Sequence, residues 1–523
     1  MSSDHCALLI DFGSTYTKLR AVDLDRREII GSGQGPSTVA TDVTIGMDAA
    51  LSDLERRLGR VPPFRHRLAS SSAAGGLRMV TIGLVKELTA EAARRAALAD
   101  LERRMAGLPP FRHRLASSSA AGGLRMVTIG LVKELTAEAA RHAALGAGAK
   151  LVGSFAYRLA RADVAEIVAL APDIVLLTGG TDGGNSDVIL HNAAALAASA
   201  LACPIVLAGN RSAADEASDL LRGAGKPVTV AANVMPEFGV LDIEPARAAI
   251  RRIFIERIVE AKGIDRARAS FDRVLMPTPA AVLEGARLLA EGTGRRQGLG
   301  ELLVTDVGGA TTDVHSVSRG APSAPEIVLH GLPEPFAKRT VEGDLGMRHN
   351  AAAIVAAAGL EAIAAEAGLT QACVEALLGE VSRDVGRLPG TPAEAAFDRA
   401  LARAAVAIAV KRHAGTVRTV YTATGPVVVQ EGKDLTGVDV LIGTGGPLVH
   451  ARDPGGILSA ALADAAEPGS LRPKRPRLML DRHYVLYAVG LLAEVDAEAA
   501  LELGLANLVR IETEGAYDCG SAA

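Results

Sequence analysis

Two stretches of this chain, 295 positions apart, repeat one pattern: a short apolar strand ending in aspartate, a turn of glycine and hydroxyl residues, and a second strand. The first is Leu9-Ile-Asp11-Phe-Gly13-Ser14-Thr15-Tyr16-Thr17-Lys18, and the second is Val304-Thr-Asp306-Val-Gly308-Gly309-Ala310-Thr311-Thr312-Asp313. Glycine lets backbone N–H groups approach phosphate oxygens, and the hydroxyls add donors. An aspartate at each strand end suits a hydrated Mg2+, which takes one or two carboxylates beside water and phosphate. Either stretch alone is also an ordinary hairpin turn. Occurring twice, in the same order, they predict two halves built alike, each opening with this hairpin.

A third stretch, Val440-Leu-Ile-Gly443-Thr444-Gly445-Gly446-Pro447, runs a strand into a glycine turn against which a nucleotide can lie flat. Alone it is a strand–helix turn. None of the three is a Walker A loop or a G-x-G-x-x-G fingerprint. Between the hairpins, strand-like segments near 151, 174, 205 and 228 alternate with Ala/Leu-rich helical ones, which predicts βα units on a parallel sheet. The polar, glycine-rich run Gly292–Gly300 reads as a linker. The organisation expected is a first lobe over 1–290 with an α/β insert at 150–235, and a second over 300–523 that closes with a helix.

Composition narrows the function. At 523 residues the chain exceeds one ordinary core, and 49% hydrophobic against 22% charged residues excludes a disordered chain. Aromatic content is 3% with no Trp, which favours helices packed closely on strands. Lys plus Arg number 56 against 60 acids, a net charge of -4, so nucleic acid is not the expected partner. Cys6, Cys203, Cys373 and Cys519 are scattered without a C-x-x-C pair and read as reduced thiols. No apolar run reaches the roughly 18 residues of a membrane span, and the N-terminus lacks a basic signal region. A soluble cytoplasmic protein is expected.

One feature inflates the length. Pro62–Arg94 recurs unchanged as Pro109–Arg141, 33 residues at an offset of 47. Weaker similarity extends the pair to 52–98 against 99–145. Two near-identical copies resemble a recent tandem duplication, since a solenoid needs more units. A core built for one copy is expected to dock one and loop the other out.

The hairpins and the glycine turn, in this order, resemble the phosphate-1, phosphate-2 and adenosine motifs of the actin, DnaK-type chaperone and sugar-kinase superfamily. Met276-Pro-Thr-Pro-Ala-Ala-Val-Leu-Glu-Gly285 and Tyr484-Val-Leu-Tyr-Ala-Val-Gly490 resemble its two connecting helices. DnaK-type chains carry an acid where Met276 stands, which bears on hydrolysis. Further stretches are closer to the glutamate mutase accessory proteins of the MutL/GlmL type. They include Leu115-Ala-Ser-Ser-Ser-Ala-Ala-Gly-Gly-Leu-Arg-Met126, Leu176-Leu-Thr-Gly-Gly-Thr-Asp-Gly-Gly-Asn185, Asn233-Val-Met-Pro236 and Arg339-Thr-Val-Glu-Gly-Asp-Leu-Gly-Met-Arg348.

The resemblance implies an α/β chain of the actin-like ATPase fold, two RNase H-like lobes around a nucleotide cleft, with an α/β insert. It implies ATP and Mg2+ as ligands. Gly13, Ser14, Thr15 and Lys18 would hold phosphate from one lobe, and Gly308, Gly309, Ala310 and Thr311 from the other. Asp11 and Asp306 would be catalytic and hold the metal, with Glu342 near the nucleotide and Gly443, Thr444, Gly445 and Gly446 behind the adenosine. The implied partner is an adenosylcobalamin-dependent glutamate mutase, reactivated by release of damaged cobalamin; cobalamin belongs to the mutase. Alternatives are a small-molecule kinase on the same cleft and a non-hydrolysing docking scaffold.

Three other segments have weaker readings. Asp481-Arg-His483 matches part of the cobalamin motif D-x-H-x-x-G but has Leu486 at the glycine place, so His483 reads as a helix-start residue. The loop Gly179–Gly184 after a buried strand is expected to make a family-specific contact. The basic stretch Arg472–Arg477 reads as a solvated connection.

Overall fold

The computed structural model describes residues 6–12, 16–24, 26–36, 43–58, 66–71, 113–116, 124–261, 273–274, 276–422 and 425–511. The chain forms two units, Met1–Gly285 with Leu486–Leu503, and Ala286–Val485 with Gly504–Ala523.

In the first unit, β1 (Cys6–Phe12), β2 (Tyr16–Asp23) and β3 (Glu28–Pro36) form an antiparallel run. Strand β1 is buried from Cys6 to Ile10, as a central strand's unbroken apolar sequence requires. Beside it, in parallel, lie β4 (His66–Ser71), β5 (His113–Ala116) and, much later in the chain, β11 (Arg273–Val274). The sheet order is β11-β5-β4-β1-β2-β3. The glycines of β3 explain how a helix covers it. A Cβ on Gly33 would stand 2.1 Å from the Ala50 carbonyl oxygen, and one on Gly35 2.7 Å from that of Gly46. Alternate positions of a strand share a face, so these small residues let the Val43–Leu58 helix lie against the backbone.

The repeat does not behave as expected. Both copies place a strand in this sheet, side by side, with His66 opposite His113 and Ala69 opposite Ala116. A parallel sheet extends through backbone hydrogen bonds alone, so an identical strand can add where a unique side-chain slot would refuse it. The first copy also reads as a turn at Gly75-Gly76 and a helix opening near Thr89, and both lie outside the described residues.

Within the same unit a second sheet carries β6 (Leu124–Gly130), β7 (Ala149–Ala156), β8 (Ile174–Leu177), β9 (Ile205–Leu207) and β10 (Val228–Val230). All pairs are parallel and the order is β10-β9-β8-β6-β7, a doubly wound arrangement. The α/β insert thus begins by Leu124, because β6 lies between β7 and β8.

The second unit repeats the first sheet's plan. Strands β12 (Leu302–Val307), β13 (Thr312–Val317) and β15 (Ala337–Glu342) run antiparallel, and β18 (Val440–Thr444) and β19 (Arg477–Asp481) continue from β12 in parallel. With β20 (Leu508–Arg510) the order is β15-β13-β12-β18-β19-β20. In both units the hairpin's first strand is central, with two antiparallel strands on one side and parallel strands on the other, β20 adding antiparallel at the edge of the second. This is the strand order of an RNase H-like lobe, so the mixed α/β class and the two lobes stand. A smaller sheet joins β14 (Ile327–His330), β17 (Gly425–Glu431) and β16 (Thr416–Thr422).

The core of the second unit gathers on the Pro392–His413 helix, whose Ala400, Ala402, Ala405 and Ala409 are buried. Its start is a capping box: the Glu394 N–H donates to Thr391 Oγ1 at 3.3 Å and the Thr391 N–H to Glu394 Oε2 at 2.8 Å. Gly292–Gly300 is not the link between units. The chain changes unit inside the Thr278–Glu291 helix, and Leu299 and Gly300 fold back to donate to the carbonyls of Leu289 and Ala290. Arg472 of the basic stretch is likewise buried, donating to Glu467 Oε2 at 3.3 Å.

Candidate functional site

The two hairpins have the same register. In the first unit Phe12 pairs with Thr17, with four positions between them, and Asp11 sits one pair earlier opposite Lys18. In the second unit Val307 pairs with Thr312, again around four residues, and Asp306 sits one pair earlier opposite Asp313. Asp11 and Asp306 are therefore equivalent positions of equivalent sheets. Gly13, Ser14 and Thr15 lie outside the described residues.

Asp11 is buried, and Thr278 Oγ1 donates to its Oδ1 at 3.2 Å. Thr278 opens the Thr278–Glu291 helix, so the first hairpin and the helix that leaves the unit meet at this carboxylate. Sequence reading missed Thr278; the two residues are 267 positions apart. Met276, two residues earlier, is fully buried.

In the second unit the Gly308–Thr311 turn is held by its carbonyls. Met347 N–H donates to Gly308 O at 3.1 Å, Arg348 and His349 N–H to Gly309 O at 2.9 Å, and Asn350 Nδ2 to Ala310 O at 3.0 Å. A Cβ on Gly346 would stand 2.3 Å from the Ala310 carbonyl carbon, so that close approach requires glycine. With its acceptors used, the turn keeps the N–H groups of Gly309, Ala310 and Thr311 as donors, an arrangement suited to an anion. Asp306, half-buried, faces Thr444 across the parallel β12–β18 pair. The sheet thereby brings Asp306, the Gly308–Thr311 turn and the Gly443–Gly446 turn to one end. Gly445 has a φ of 100°, and a Cβ there would lie 2.2 Å from Val307 O.

Glu342 reaches the same end, paired with Thr312. Its carboxylate accepts from Arg412 Nη1 at 2.6 Å, and Arg412 also holds Asp344 at 2.9 Å. Burial raises the Glu342 carboxyl above its usual range despite that partner, while Arg412 lowers that of Asp344. On the opposite face of β13, Asp313 and His315 are buried beside Arg339, whose Nη2 lies 3.4 Å from Asp313 Oδ2. Burial raises the Asp313 carboxyl and holds the His315 imidazole neutral.

The insert's loop Gly179–Gly184 is built by two buried amides. Asn210 Oδ1 accepts from Gly183 N–H at 3.0 Å and its Nδ2 donates to Gly184 O at 3.1 Å. Asn233 Nδ2 donates to Gly180 O at 3.0 Å and to Asp182 Oδ1 at 2.9 Å.

A family model described as MutL protein matches residues 7–103 and 97–508. The chain belongs to the MutL family. Over 505 residues it is 42% identical to Protein MutL of Clostridium tetanomorphum, covering 96% of this chain and 99% of that one. The two matched stretches overlap at the seam between the repeat copies, where 52–98 gives way to 99–145. Among solved structures, nucleotide-free acetone carboxylase is 14% identical with a TM-score of 0.36, over 94% of this chain and 70% of that one. A xylulose kinase from Bifidobacterium adolescentis is 11% identical with a TM-score of 0.29, over 96% and 93%. These scores are too low to carry the fold, which rests on the strand order of the two sheets.

For a MutL-family chain the remaining chemistry is sparse. Among the described residues, no group of three or more His, Cys, Asp or Glu is placed to hold a metal, and no helix is long and apolar enough to cross a membrane. His483 is exposed and Asp481 is committed to protein donors.

Proposed function

We propose that the chain is an ATP-dependent accessory protein that reactivates an adenosylcobalamin-dependent glutamate mutase in the cytoplasm, using nucleotide-driven motion of its two lobes. The observation that carries the nucleotide half is the shared register of the Asp11 and Asp306 hairpins. Membership of the MutL family supports the mutase half.

The Gly308–Thr311 turn, whose carbonyls are taken and whose Gly309, Ala310 and Thr311 N–H groups remain as donors, suits the phosphates of MgATP. Mg2+ usually keeps several waters and takes one or two protein carboxylates beside phosphate oxygens, which Asp11 and Asp306 can provide without a larger acidic cluster. Bound MgATP would supply the phosphoanhydride and the charge that drives its cleavage. Gly13, Ser14, Thr15 and Lys18 would hold phosphate from one lobe, and the Gly308, Gly309, Ala310 and Thr311 amides from the other. Asp11, fixed by Thr278, and Asp306 would be the carboxylates that hold the metal and its waters, and one of them would orient the attacking water. Glu342 lies beside this turn, and Gly443, Thr444, Gly445 and Gly446 back the adenosine. Cobalamin stays with the mutase.

Buried Met276, at the place of an acid in DnaK-type chaperones, favours a second reading, a scaffold that binds nucleotide and docks the mutase without fast hydrolysis. Mg2+-dependent ATP turnover, measured with and without mutase subunits carrying inactive cobalamin, separates the two. Turnover stimulated by mutase and lost in Asp306→Ala supports reactivation. Binding without turnover supports the scaffold, and failure to bind ATP removes both.

A further inference from the structure

The segment by which the chain leaves the second unit is fastened to the Gly443–Gly446 turn. Asp481, the fully buried last residue of β19, accepts from Thr444 Oγ1 at 3.1 Å through Oδ2. Its Oδ1 accepts from the Val485 N–H at 2.8 Å, and its carbonyl accepts from the Tyr484 N–H at 3.2 Å. The unit boundary follows at once, between Val485 and Leu486, where the Leu486–Ala493 helix begins. One carboxylate thus ties the last residue of β18 to the last residue before the boundary.

Tyr484 is strained by this arrangement. Its φ is 54°, in the left-handed region that a bulky side chain rarely adopts and that costs about 1–3 kcal/mol. The strain puts the phenol on the glycine turn: Tyr484 Oη lies 3.2 Å from where a Cβ on Gly446 would stand. Tyr484 is half-buried there. Strain of this kind persists only where the surroundings impose it, and the N–H groups of Tyr484 and Val485, one before and one after the strained Cα, both donate to Asp481.

We propose that Tyr484 is a contact residue for a purine nucleoside lying on the Gly443–Gly446 turn, and that Asp481 is the positioning residue that transmits the turn's state to Val485. The inference rests on the reading of this turn as part of the nucleotide site. A flat base lying on Gly446 shares its space with the phenol, and aromatic rings in contact favour offset stacking. A shift of the turn then acts on the residue before the boundary through the hydrogen bonds of Thr444 and Val485 to a single carboxylate.

The test uses the full chain and radiolabelled ATP with Mg2+ in equilibrium dialysis. Tyr484→Gly is expected to raise the melting midpoint, because glycine accepts the left-handed conformation, and to weaken ATP binding at least fivefold. A purely structural tyrosine would not move the two in opposite directions. The chain has no Trp, so Tyr484→Trp introduces a single indole. Its emission is expected to change saturably with ATP, and that change is expected to fall at least threefold when Asp481→Asn or Thr444→Val is added. Unchanged affinity in Tyr484→Gly overturns the contact. An emission response unaffected by both added substitutions overturns the positioning role. A wild-type chain that binds no ATP removes the proposed nucleotide site itself, and this inference with it.

Discussion

Gly285 and Gly490 meet backbone to backbone. A Cβ on Gly285 would stand 2.4 Å from Leu486 O and 3.1 Å from Gly490 N, and one on Gly490 would stand 1.9 Å from Ala281 O and 3.0 Å from Gly285 N. The helices Thr278–Glu291 and Leu486–Ala493, which bear the two glycines, lie at two of the three places where the chain passes between units. Their axes can approach this closely only where both residues lack a side chain.

Gly490→Ala therefore tests two opposed effects. Alanine favours a helix over glycine by about 1 kcal/mol. Overpacking against the fixed Ala281 carbonyl costs about 1–3 kcal/mol. The contact is far inside van der Waals distance and its partner is backbone, so the loss wins. Urea unfolding is expected to give lower stability for Gly490→Ala, and Gly294→Ala, with open space around it, is expected to stay within about 0.5 kcal/mol of wild type.

Lys433 makes stability depend on pH. It is fully buried, with Nζ donating to Pro335 O at 2.7 Å and Phe336 O at 2.8 Å. Burial, then the neighbouring Lys338, lowers its pKa to about 7 from 10.5. Between these values the unfolded chain holds the proton and the folded chain does not, so raising pH favours folding. The expected gain is up to about 1.4 kcal/mol per pH unit above pH 7. Urea midpoints for wild type and Lys433→Met check this: the variant should lose that slope.

Arg339 is the counter-charge of buried Asp313. Arg339→Leu leaves the carboxylate uncompensated, at a cost of about 3–5 kcal/mol. Without the guanidinium, the folded carboxyl rises further above its unfolded value of 3.8. In that interval the folded state binds more protons, so lowering pH restores stability. Chemical unfolding at neutral pH and near pH 5 is expected to show the smaller deficit at the lower pH, and an equal deficit at both would contradict it.

Both hairpins and the Gly443–Gly446 strand were readable from residue types because β1, β12 and β18 are buried on both faces and so spell unbroken apolar runs before their glycine turns. Strand β3 was not, since Gly31, Gly33 and Gly35 look like a loop until the helix above them is seen. Strand β19 begins at Arg477, which ends the basic stretch, and its role appears only through the pairing of Leu441 with Leu478. The site's fastenings were out of reach for another reason. Thr278 to Asp11, Arg412 to Asp344 and Thr444 to Asp481 join residues 267, 68 and 37 positions apart, and no local pattern encodes such pairs.

The repeat yields the last prediction. Without β4, whose residues β5 repeats in register, the first sheet would read β11-β5-β1-β2-β3, the five-strand plan that β19-β18-β12-β13-β15 follows in the second unit. Removing 52–98 would bring the chain to 476 residues and would join Leu51 to Ala99. The helix Val43–Leu58 then continues through Asp100, Leu101, Arg103 and Arg104, the same residue types as Asp53, Leu54, Arg56 and Arg57 at the 47-residue offset. Those types matter, because Asp53 accepts from the Gln34 N–H at 3.1 Å and Leu54 packs on Gly33. The shortened chain is expected to unfold cooperatively, with a midpoint no lower than that of the full chain. A parallel strand adds backbone hydrogen bonds but carries the entropy of a long connection, so its loss costs little. A fall of more than about 2 kcal/mol in chemical unfolding would mean that the second strand is integral to the sheet.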